Sequence, residues 1–349
     1  MHNSPVQKYC YVLLLLSFSL TSLSQTHRYV NPSGTDSGTC SEPGSPCQSI
    51  DYAITQAAAN DVLNLTEGTF TATTLSTRVV LSGRGTGTVV QGITVNAAVS
   101  GTDPVSIENL TVTSSSTHGI TIGTSYVELF NVNSSNHSGR NVNIDAATAI
   151  QNITISNCVL DGGDYGLWLT EQTDLTNLTV LNTSMDNNTI GFYSQLGNSA
   201  SAGIRLAAVL VRNCTFNNNL RKGIYAEKLE NAIFENITVD NSGTDATYDF
   251  NNGIDINLKW QAYSGITIRN SRVINSGAIG SNDIATAPDN RHTSAIAIKA
   301  RTDAGSYNGT PASLTNVTLD GVIIDGLVTD LRFGEMGKTD NDGMDMSTV

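Results

Sequence analysis

Short runs of alternating apolar and polar residues recur along the chain. The run NCTF at 213–216 is repeated as NITV at 236–239. Each run is an asparagine followed by three residues, and alternation with a period of two predicts a short, half-buried β-strand. Because such runs return at intervals of roughly 22 residues, the chain is predicted to be built from repeated units rather than from one irregular sheet.

Two kinds of run make up the repeat. Asparagine-led runs also occur at 109–112, 157–160, 182–185 and 316–319, with a looser copy at 270–273. Glycine-led runs follow them at 119–122, 166–169, 203–206, 223–226, 253–256 and 343–346, and alanine replaces the glycine at 295–298. Two or three short strands per turn cannot form a core alone, but stacked turns bury a continuous apolar column. Each strand would then pair in parallel with its copy about 4.8 Å away.

The two ends of the stack differ. Ile50, Ala53, Ile54 and Ala57 fall on one face of a short predicted helix, which would cover the open N-terminal end of the column. We therefore expect a disulfide loop and capping helix at 26–60 and repeats at 61–349. The chain stops at DGMDMSTV, directly after a repeat strand. We expect this end to be capped by a partner, by self-association or by a further segment.

This pattern resembles the right-handed parallel β-helix family, the architecture of pectate lyases and polygalacturonases, from Asp61 to the C-terminus. The segment 45–70 also resembles the opening of that family. The resemblance implies an all-β solenoid. It does not imply one activity, because many activities share the scaffold.

Composition and the N-terminus restrict the setting of the protein. Only 14% of residues are charged, and the formal net charge of −13 argues against a nucleic-acid partner, which would require a basic face. Residues 1–25 read as a signal peptide, whose apolar part YVLLLLSFSL at 11–20 is too short for a comfortable membrane span. We predict a secreted or cell-surface protein without a membrane anchor.

The cysteines fit export. Cys40 and Cys47 flank the turn-rich SEPGSP loop, and a disulfide is predicted there, with two free thiols as the alternative. Cys158 and Cys214 occupy an inward repeat position about two turns apart, too far for a disulfide, and are predicted to be buried apolar side chains.

Function in a solenoid is expected on one outer face. The outward positions of the glycine-led runs are predicted to form a column; its members are Thr121, Trp168, Arg205, Tyr225, Asp255, Ala297 and Asp345. Trp168 and Tyr225 on a solvent face would suit stacking against sugar rings, although aromatics also suit exposed strand pairs for purely structural reasons.

Long insertions in the same region predict the walls of a cleft. They bring further candidates for substrate binding, namely Trp260, His292 and Arg301. The resemblance does not supply catalytic residues, because the motif series of polygalacturonases is absent; the segment AIAIKA at 295–300 matches only its last member, weakly. The acidic calcium cluster of pectate lyases is not evident either, so we predict no cofactor, with a calcium ion as the alternative.

Two reaction schemes fit the column. In a lyase, Lys299 and Arg301 would remove a proton beside a uronate carboxylate and neutralise that carboxylate. In a hydrolase, two carboxylates would flank the glycosidic bond. Glu227 and Asp255 lie on adjacent turns, whereas Asp255 and Asp345 would lie two turns apart, about 9.6 Å, near the upper limit of about 9.5 Å for an inverting pair.

Two functional hypotheses remain. The first is a secreted β-helix protein that binds or cleaves a polysaccharide on this face, with Asp255, Lys299 and Glu227 as catalytic residues. The second is a non-catalytic surface or adhesion module. An ice-binding surface is disfavoured, because it would need a flat, regular threonine array that the outward column lacks.

Overall fold

The architecture is a stack of parallel β-coils closed at its N-terminal end by one helix. The computed structural model describes residues 25–99, 101–113, 117–197, 203–280, 293–302 and 309–334. All strand pairs in these ranges are parallel, and they form three long sheets, A, B and C. The predicted all-β, single-stranded β-helix is therefore confirmed.

Sheet A lies on one side of the coil. Its strands are β1 (His27–Val30), β2 (Val62–Leu65), β3 (Gly68–Phe70), β5 (Val80–Ser82), β6 (Thr88–Val90), β8 (Val105–Val112), β10 (Val127–Ser134), β12 (Ile150–Ser156), β14 (Leu175–Leu181), β16 (Leu206–Arg212), β18 (Glu230–Glu235), β21 (Ala262–Arg269) and β24 (Ser313–Asp320). Strand β1 pairs with β2, so stacking already begins within the segment that precedes the repeats.

Sheet B completes the coil, and the shorter sheet C is added in the last three described coils. Sheet B contains β4 (Thr73–Leu75), β7 (Ile93–Val95), β9 (Ile120–Ile122), β11 (Arg140–Ile144), β13 (Tyr165–Leu169), β15 (Ile190–Ser194), β17 (Lys222–Ala226), β20 (Asn252–Leu258), β23 (Ser294–Ala300) and β26 (Leu331–Phe333). Sheet C contains β19 (Thr238–Asp240), β22 (Arg272–Ser276) and β25 (Ile323–Gly326).

The core is a set of side-chain columns inside the coil. Register places one inward residue of each sheet-A strand directly over its counterpart; this column is Ile107, Leu129, Ile155, Val180, Val211, Phe234, Ile268 and Leu319. All but Leu319 are essentially buried. Since every coil repeats the same inward positions, apolar burial continues along the whole stack.

Asparagines form the corner where each coil leaves sheet A. Residues 109, 131, 157, 182, 213, 236 and 270 have positive φ values, which asparagine tolerates better than other non-glycine residues. The side-chain amide of Asn213 donates to Asn182 Oδ1 at 2.9 Å, and Asn236 donates to Asn213 Oδ1 at 2.7 Å. Asn316 does not belong to this ladder, because its register partner is Gly265 and the ladder position of its coil is Gly321.

The N-terminal cap is helix α1 (Ile50–Gln56). Ser49 caps the helix, since its hydroxyl accepts a hydrogen bond from the Tyr52 amide at 3.1 Å. Ile50, Ala53 and Ile54 are buried against the end of the core, as the sequence predicted.

The cysteines are arranged in two ways. Cys40 and Cys47 form a disulfide, which joins the loop before α1. Cys158 and Cys214 are free thiols within the core, and burial raises the pKa of each to about 11. Both core thiols are therefore protonated at neutral pH and act as small apolar side chains.

Candidate functional site

The outward positions of sheet B form one continuous wall along the solenoid. Strand register defines it, and its members are Thr74, Thr94, Thr121, Asn143, Trp168, Tyr193, Tyr225, Asp255, Ala297 and Arg332. We call this column the sheet-B wall. The prediction that Trp168, Tyr225 and Asp255 share one outer column is confirmed.

One member predicted for the wall, Arg205, is wrong, and the position predicted for a second member belongs to another residue. Arg205 precedes sheet-A strand β16 and forms an ion pair with Glu230, so the coil between Trp168 and Tyr225 contributes Tyr193 instead. Arg332 takes the register position after Ala297 that the repeat pattern assigned to Asp345. Asp345 itself lies outside the described residues.

The centre of the wall is an aromatic stack. Tyr193 lies between Trp168 and Tyr225, with ring centroids 4.8 Å and 4.7 Å away, and Tyr165 packs edge-on against Trp168 at 4.0 Å. The guanidinium of Arg140 sits 3.8 Å from the centre of the Trp168 ring. The rings therefore bind one another and a cation of the same chain, an arrangement that stabilises the stack.

The prediction that Trp168 faces solvent is wrong. Only 8% of Trp168 is exposed, and Tyr225 is half-buried. The physical reason is that alternation fixes which side of a strand a residue is on, whereas exposure depends on what packs over that side. In this structure, the stacked rings cover each other.

A buried ion pair continues the wall beyond the aromatic stack. The ammonium of Lys222 contacts Asp255 Oδ2, and it lies 4.1 Å from the centre of the Tyr225 ring. Burial lowers the pKa of Lys222 to about 8, although Asp255 opposes the shift. Burial would raise the pKa of Asp255, but Lys222, Lys299 and Arg332 together lower it. Asp255 is thus a carboxylate at neutral pH and is 1% exposed.

Glu227 belongs to a second buried network. Its Oε1 accepts hydrogen bonds from Lys259 at 2.6 Å and from the Tyr225 hydroxyl at 2.8 Å. Its Oε2 accepts from the amides of Leu196 at 2.9 Å and Gly197 at 3.1 Å. With both oxygens engaged in structural hydrogen bonds, Glu227 fastens the segment at 196–197 onto the wall.

The remaining predicted site residues divide as follows. Lys299 is paired in register with Asn257 on the same face and is 4% exposed. Trp260 is 2% exposed, and its indole donates to the Gly197 carbonyl at 3.3 Å. Arg301 follows β23 and is half-buried. His292 lies outside the described residues. The structure therefore gathers Glu227, Asp255 and Lys299 into one region, but beneath cover rather than in an open cleft.

Two acceptor atoms in this region lack hydrogen-bond partners. Asp255 Oδ1 and Asn257 Oδ1 are buried and make no hydrogen bond. They lie two residues apart on the same face of β20 (Asn252–Leu258). Unsatisfied buried acceptors are costly and uncommon, so this pair marks a place on the described part of the wall where a hydrogen-bond donor is lacking.

An open groove lies at the other end of the same wall. It has a volume of about 580 Å³ and includes the outward threonines Thr74, Thr94 and Thr121 of three successive coils. Helix α1 contributes Asp51 and Thr55 to its lining, and the turns before the strands contribute Gln91, Thr117 and His118. We call this feature the threonine groove.

The polar groups of the threonine groove are fixed by contacts within the chain. Thr73 donates to Asp51 Oδ1 at 2.6 Å, which ties the cap helix to β4. His118 Nδ1 accepts a hydrogen bond from the Arg140 amide at 3.4 Å, which leaves Nε2 as its donor. Burial and the nearby Arg140 charge lower the pKa of His118, so its imidazole is neutral at pH 7.

No cluster of three or more His, Cys, Asp or Glu side chains suited to a metal ion occurs in the part of the chain that the structure describes. Within the same ranges, no helix has the length and apolarity that a membrane crossing requires.

Sequence reasoning missed three features of the site: Tyr193, Lys222 and the threonine groove. Tyr193 lies in GFYS at 191–194, a further glycine-led run that was not included in the predicted repeat. Lys222 lies directly before the glycine-led run at 223–226, and the predicted column considered only positions within such runs. The groove had only a weak signal, the threonines at equivalent positions of early, irregular coils.

Together, the coiled parallel sheets and their outer wall define a single-stranded β-helix protein. The family model of the right-handed beta helix region matches residues 91–273, just over half of the chain. The chain belongs to this right-handed β-helix family.

Several solved structures are similar to this chain at low sequence identity. The A-module of a mannuronan C-5 epimerase of Azotobacter vinelandii is 13% identical, with 78% of this chain and 88% of that chain covered and a TM-score of 0.44. A pectate lyase is 14% identical over 88% of this chain and 79% of that chain, with a TM-score of 0.39. The A-module of a second mannuronan C-5 epimerase of the same organism is 12% identical over 78% and 89%, with a TM-score of 0.33. No curated protein matches the sequence at a significant level.

Proposed function

We propose that the protein is an exported β-helix protein that binds a polysaccharide in the threonine groove. The observation that carries this proposal is a groove of about 580 Å³ lined by threonine hydroxyls from three successive coils. A polymer laid across the coils would meet the same hydroxyl at each step of about 4.8 Å. Ligand sites are usually preformed concave surfaces with a few fixed polar groups, and the groove has this form.

The groove favours binding over cleavage. Among the described residues of its lining, Asp51 is the one carboxylate, and it already accepts a hydrogen bond from Thr73. A glycoside hydrolase of the usual kind requires two carboxylates about 5–9.5 Å apart. The carboxylates that the sequence suggested as catalytic residues, Glu227 and Asp255, are buried at the other end of the wall and paired with lysines.

The test uses the purified mature chain and a panel of polysaccharides. Binding is measured by affinity electrophoresis and calorimetry. Thr94→Val and Thr121→Val each remove one groove hydroxyl while keeping the shape of the side chain. Thr179→Val is the matched control, since Thr179 is also a half-buried outward strand residue but lies on sheet A.

We expect the two groove variants to weaken binding by about threefold to tenfold each, the effect of losing one hydrogen bond. The control should bind like the wild type. If no polymer binds, or if the groove variants and the control behave alike, the proposal is wrong.

Cleavage at the covered part of the wall is the second candidate function. The unpartnered acceptors Asp255 Oδ1 and Asn257 Oδ1 favour it, because a sugar hydroxyl could supply the donor they lack. In this scheme Asp255 would act on the glycosidic bond, with Lys299 beside it. Released reducing ends would indicate hydrolysis, and absorbance from unsaturated products would indicate a lyase.

A matched pair of variants tests the second candidate. Asp255→Asn should abolish product formation, and Glu235→Gln on the outer face of sheet A should not. Both variants are checked for an unchanged circular dichroism spectrum, so that a lost fold is not read as lost catalysis. Absence of any product across the panel, alongside retained binding, would reject cleavage and leave the binding proposal intact.

A further inference from the structure

The charge of the threonine groove restricts the class of polysaccharide that it can accept; this step rests on the proposed function. None of its described lining residues is a lysine or an arginine, and its only carboxylate is Asp51. The other titratable lining side chain is His118, which faces Arg140 on the neighbouring coil. The groove therefore presents a neutral to slightly negative surface.

Arg140, the cation near the threonine groove, has its guanidinium engaged by other groups of the chain. The guanidinium of Arg140 donates to Asn143 Oδ1 at 2.9 Å and stacks on Trp168. Its backbone amide is the group that donates to His118. Arg140 thus serves the aromatic stack, and its charged end is already engaged when a ligand lies in the groove.

Recognition of a polyuronate needs cations that this groove does not supply. Proteins bind carboxylates mainly by charge-assisted hydrogen bonds from arginine and lysine. The chain also carries a formal net charge of −13, which repels polyanions at a distance. Both effects act against a uronate polymer, one in the groove and one during the approach.

The hydrogen-bonding groups of the groove match uncharged sugars instead. Threonine hydroxyls both donate and accept, Asp51 accepts, and His118 Nε2 donates. Sugar hydroxyls have the same dual character, so each can find a partner without a net charge on either side. We infer that the threonine groove binds an uncharged polysaccharide and discriminates against polyuronates.

The test compares polymers that differ only in charge. Polyuronates are used beside their carboxyl-reduced forms, in which each uronate has become a neutral sugar, together with neutral glucans, mannans and galactans. The wild type should bind at least one neutral polymer, and any matching polyuronate at least tenfold more weakly. Because no ion pair is involved, raising the salt concentration should leave the affinity for the neutral polymer almost unchanged.

A charge introduced into the groove provides the converse test. Thr74→Lys places an ammonium on an exposed floor position of the groove, and should raise the affinity for polyuronates. Thr179→Lys on sheet A is the matched control and should not. This gain is specific, since an unfolded variant cannot acquire binding.

The outcomes separate the two proposals. Tighter binding of a polyuronate than of its carboxyl-reduced form by the wild type, weakened by salt, would overturn the inference on polymer class while leaving the groove as the site. Binding that ignores Thr94→Val and Thr121→Val, or no binding of any polymer, would overturn the proposed function itself.

Discussion

Replacing Asp255 with alanine should destabilise the protein by about 3–5 kcal/mol. Lys222 and Asp255 are 2% and 1% exposed in their side chains, so the variant leaves an ammonium without its counter-ion away from water. Removing one member of a buried ion pair typically costs about 3–5 kcal/mol, because the remaining charge keeps its desolvation penalty.

The titration of Lys222 limits this cost. Burial already lowers its pKa to about 8 with Asp255 present, and the variant lowers the pKa further. At pH 7 the lysine can avoid the added penalty by losing its proton. Because the folded wild type already holds the pKa of Lys222 below its unfolded value, only the further lowering counts against the variant. We therefore expect a cost towards the lower end of the range given above.

Urea unfolding followed by circular dichroism measures the change, since urea does not screen charges as guanidinium chloride does. Glu230→Ala is the matched control: it breaks the partly exposed ion pair with Arg205 and should cost about 1 kcal/mol or less. Lys222→Met combined with Asp255→Leu removes both charges and should recover most of the loss. An Asp255→Ala variant no less stable than the Glu230→Ala control would refute the reasoning.

Three further predictions concern the sheet-B wall, the corners and the disulfide loop. Burial and the charge of Glu227 raise the pKa of Tyr193 above its usual 10. The unfolded chain therefore loses the Tyr193 proton at a lower pH than the folded chain, so the free energy of unfolding should fall above about pH 10. Tyr193→Phe should flatten that fall in unfolding curves measured at pH 9–11. Asn213→Ala should lower the free energy of unfolding by about 1–2 kcal/mol, because alanine disfavours the positive φ of that position. Asn213→Gly should lower it by less. Equal losses in the two variants would assign the effect to the side-chain hydrogen bonds of the asparagine ladder alone. Replacing Cys40 and Cys47 by alanine opens a loop with a sequence separation of 7 and should lower the free energy of unfolding by about 2.5 kcal/mol. Thermal unfolding measures the change, and an unchanged midpoint would show that the loop closes without the disulfide.

Local patterns were sufficient to predict the solenoid. Alternation over three or four residues determines which side chains point inward, and this property needs no knowledge of distant segments. The corner asparagines are equally local, since a left-handed backbone position selects asparagine or glycine wherever it occurs. For these reasons the parallel coils, the inward position of Cys158 and the capping helix at 50–56 could be read from the sequence.

The assignment of residues to coils was less secure where insertions are long. Arg205 was placed on the wall because its run, GIRL at 203–206, imitates the glycine-led pattern, whereas the structure uses the run at 191–194 and Tyr193. Arg332 likewise occupies the position predicted for Asp345. Neighbouring runs of similar pattern compete for one position, and only pairing with the coils on both sides decides between them.

By itself, then, the amino-acid sequence determined the β-helix, its inward columns and the face on which Trp168, Tyr225 and Asp255 lie, because each follows from alternation within a few residues. Only the tertiary structure decided that this face is covered over Asp255 and Glu227 and open at Thr94. Exposure of an outward side chain depends on what lies above it, and in a solenoid those atoms come from other coils and from the insertions between them.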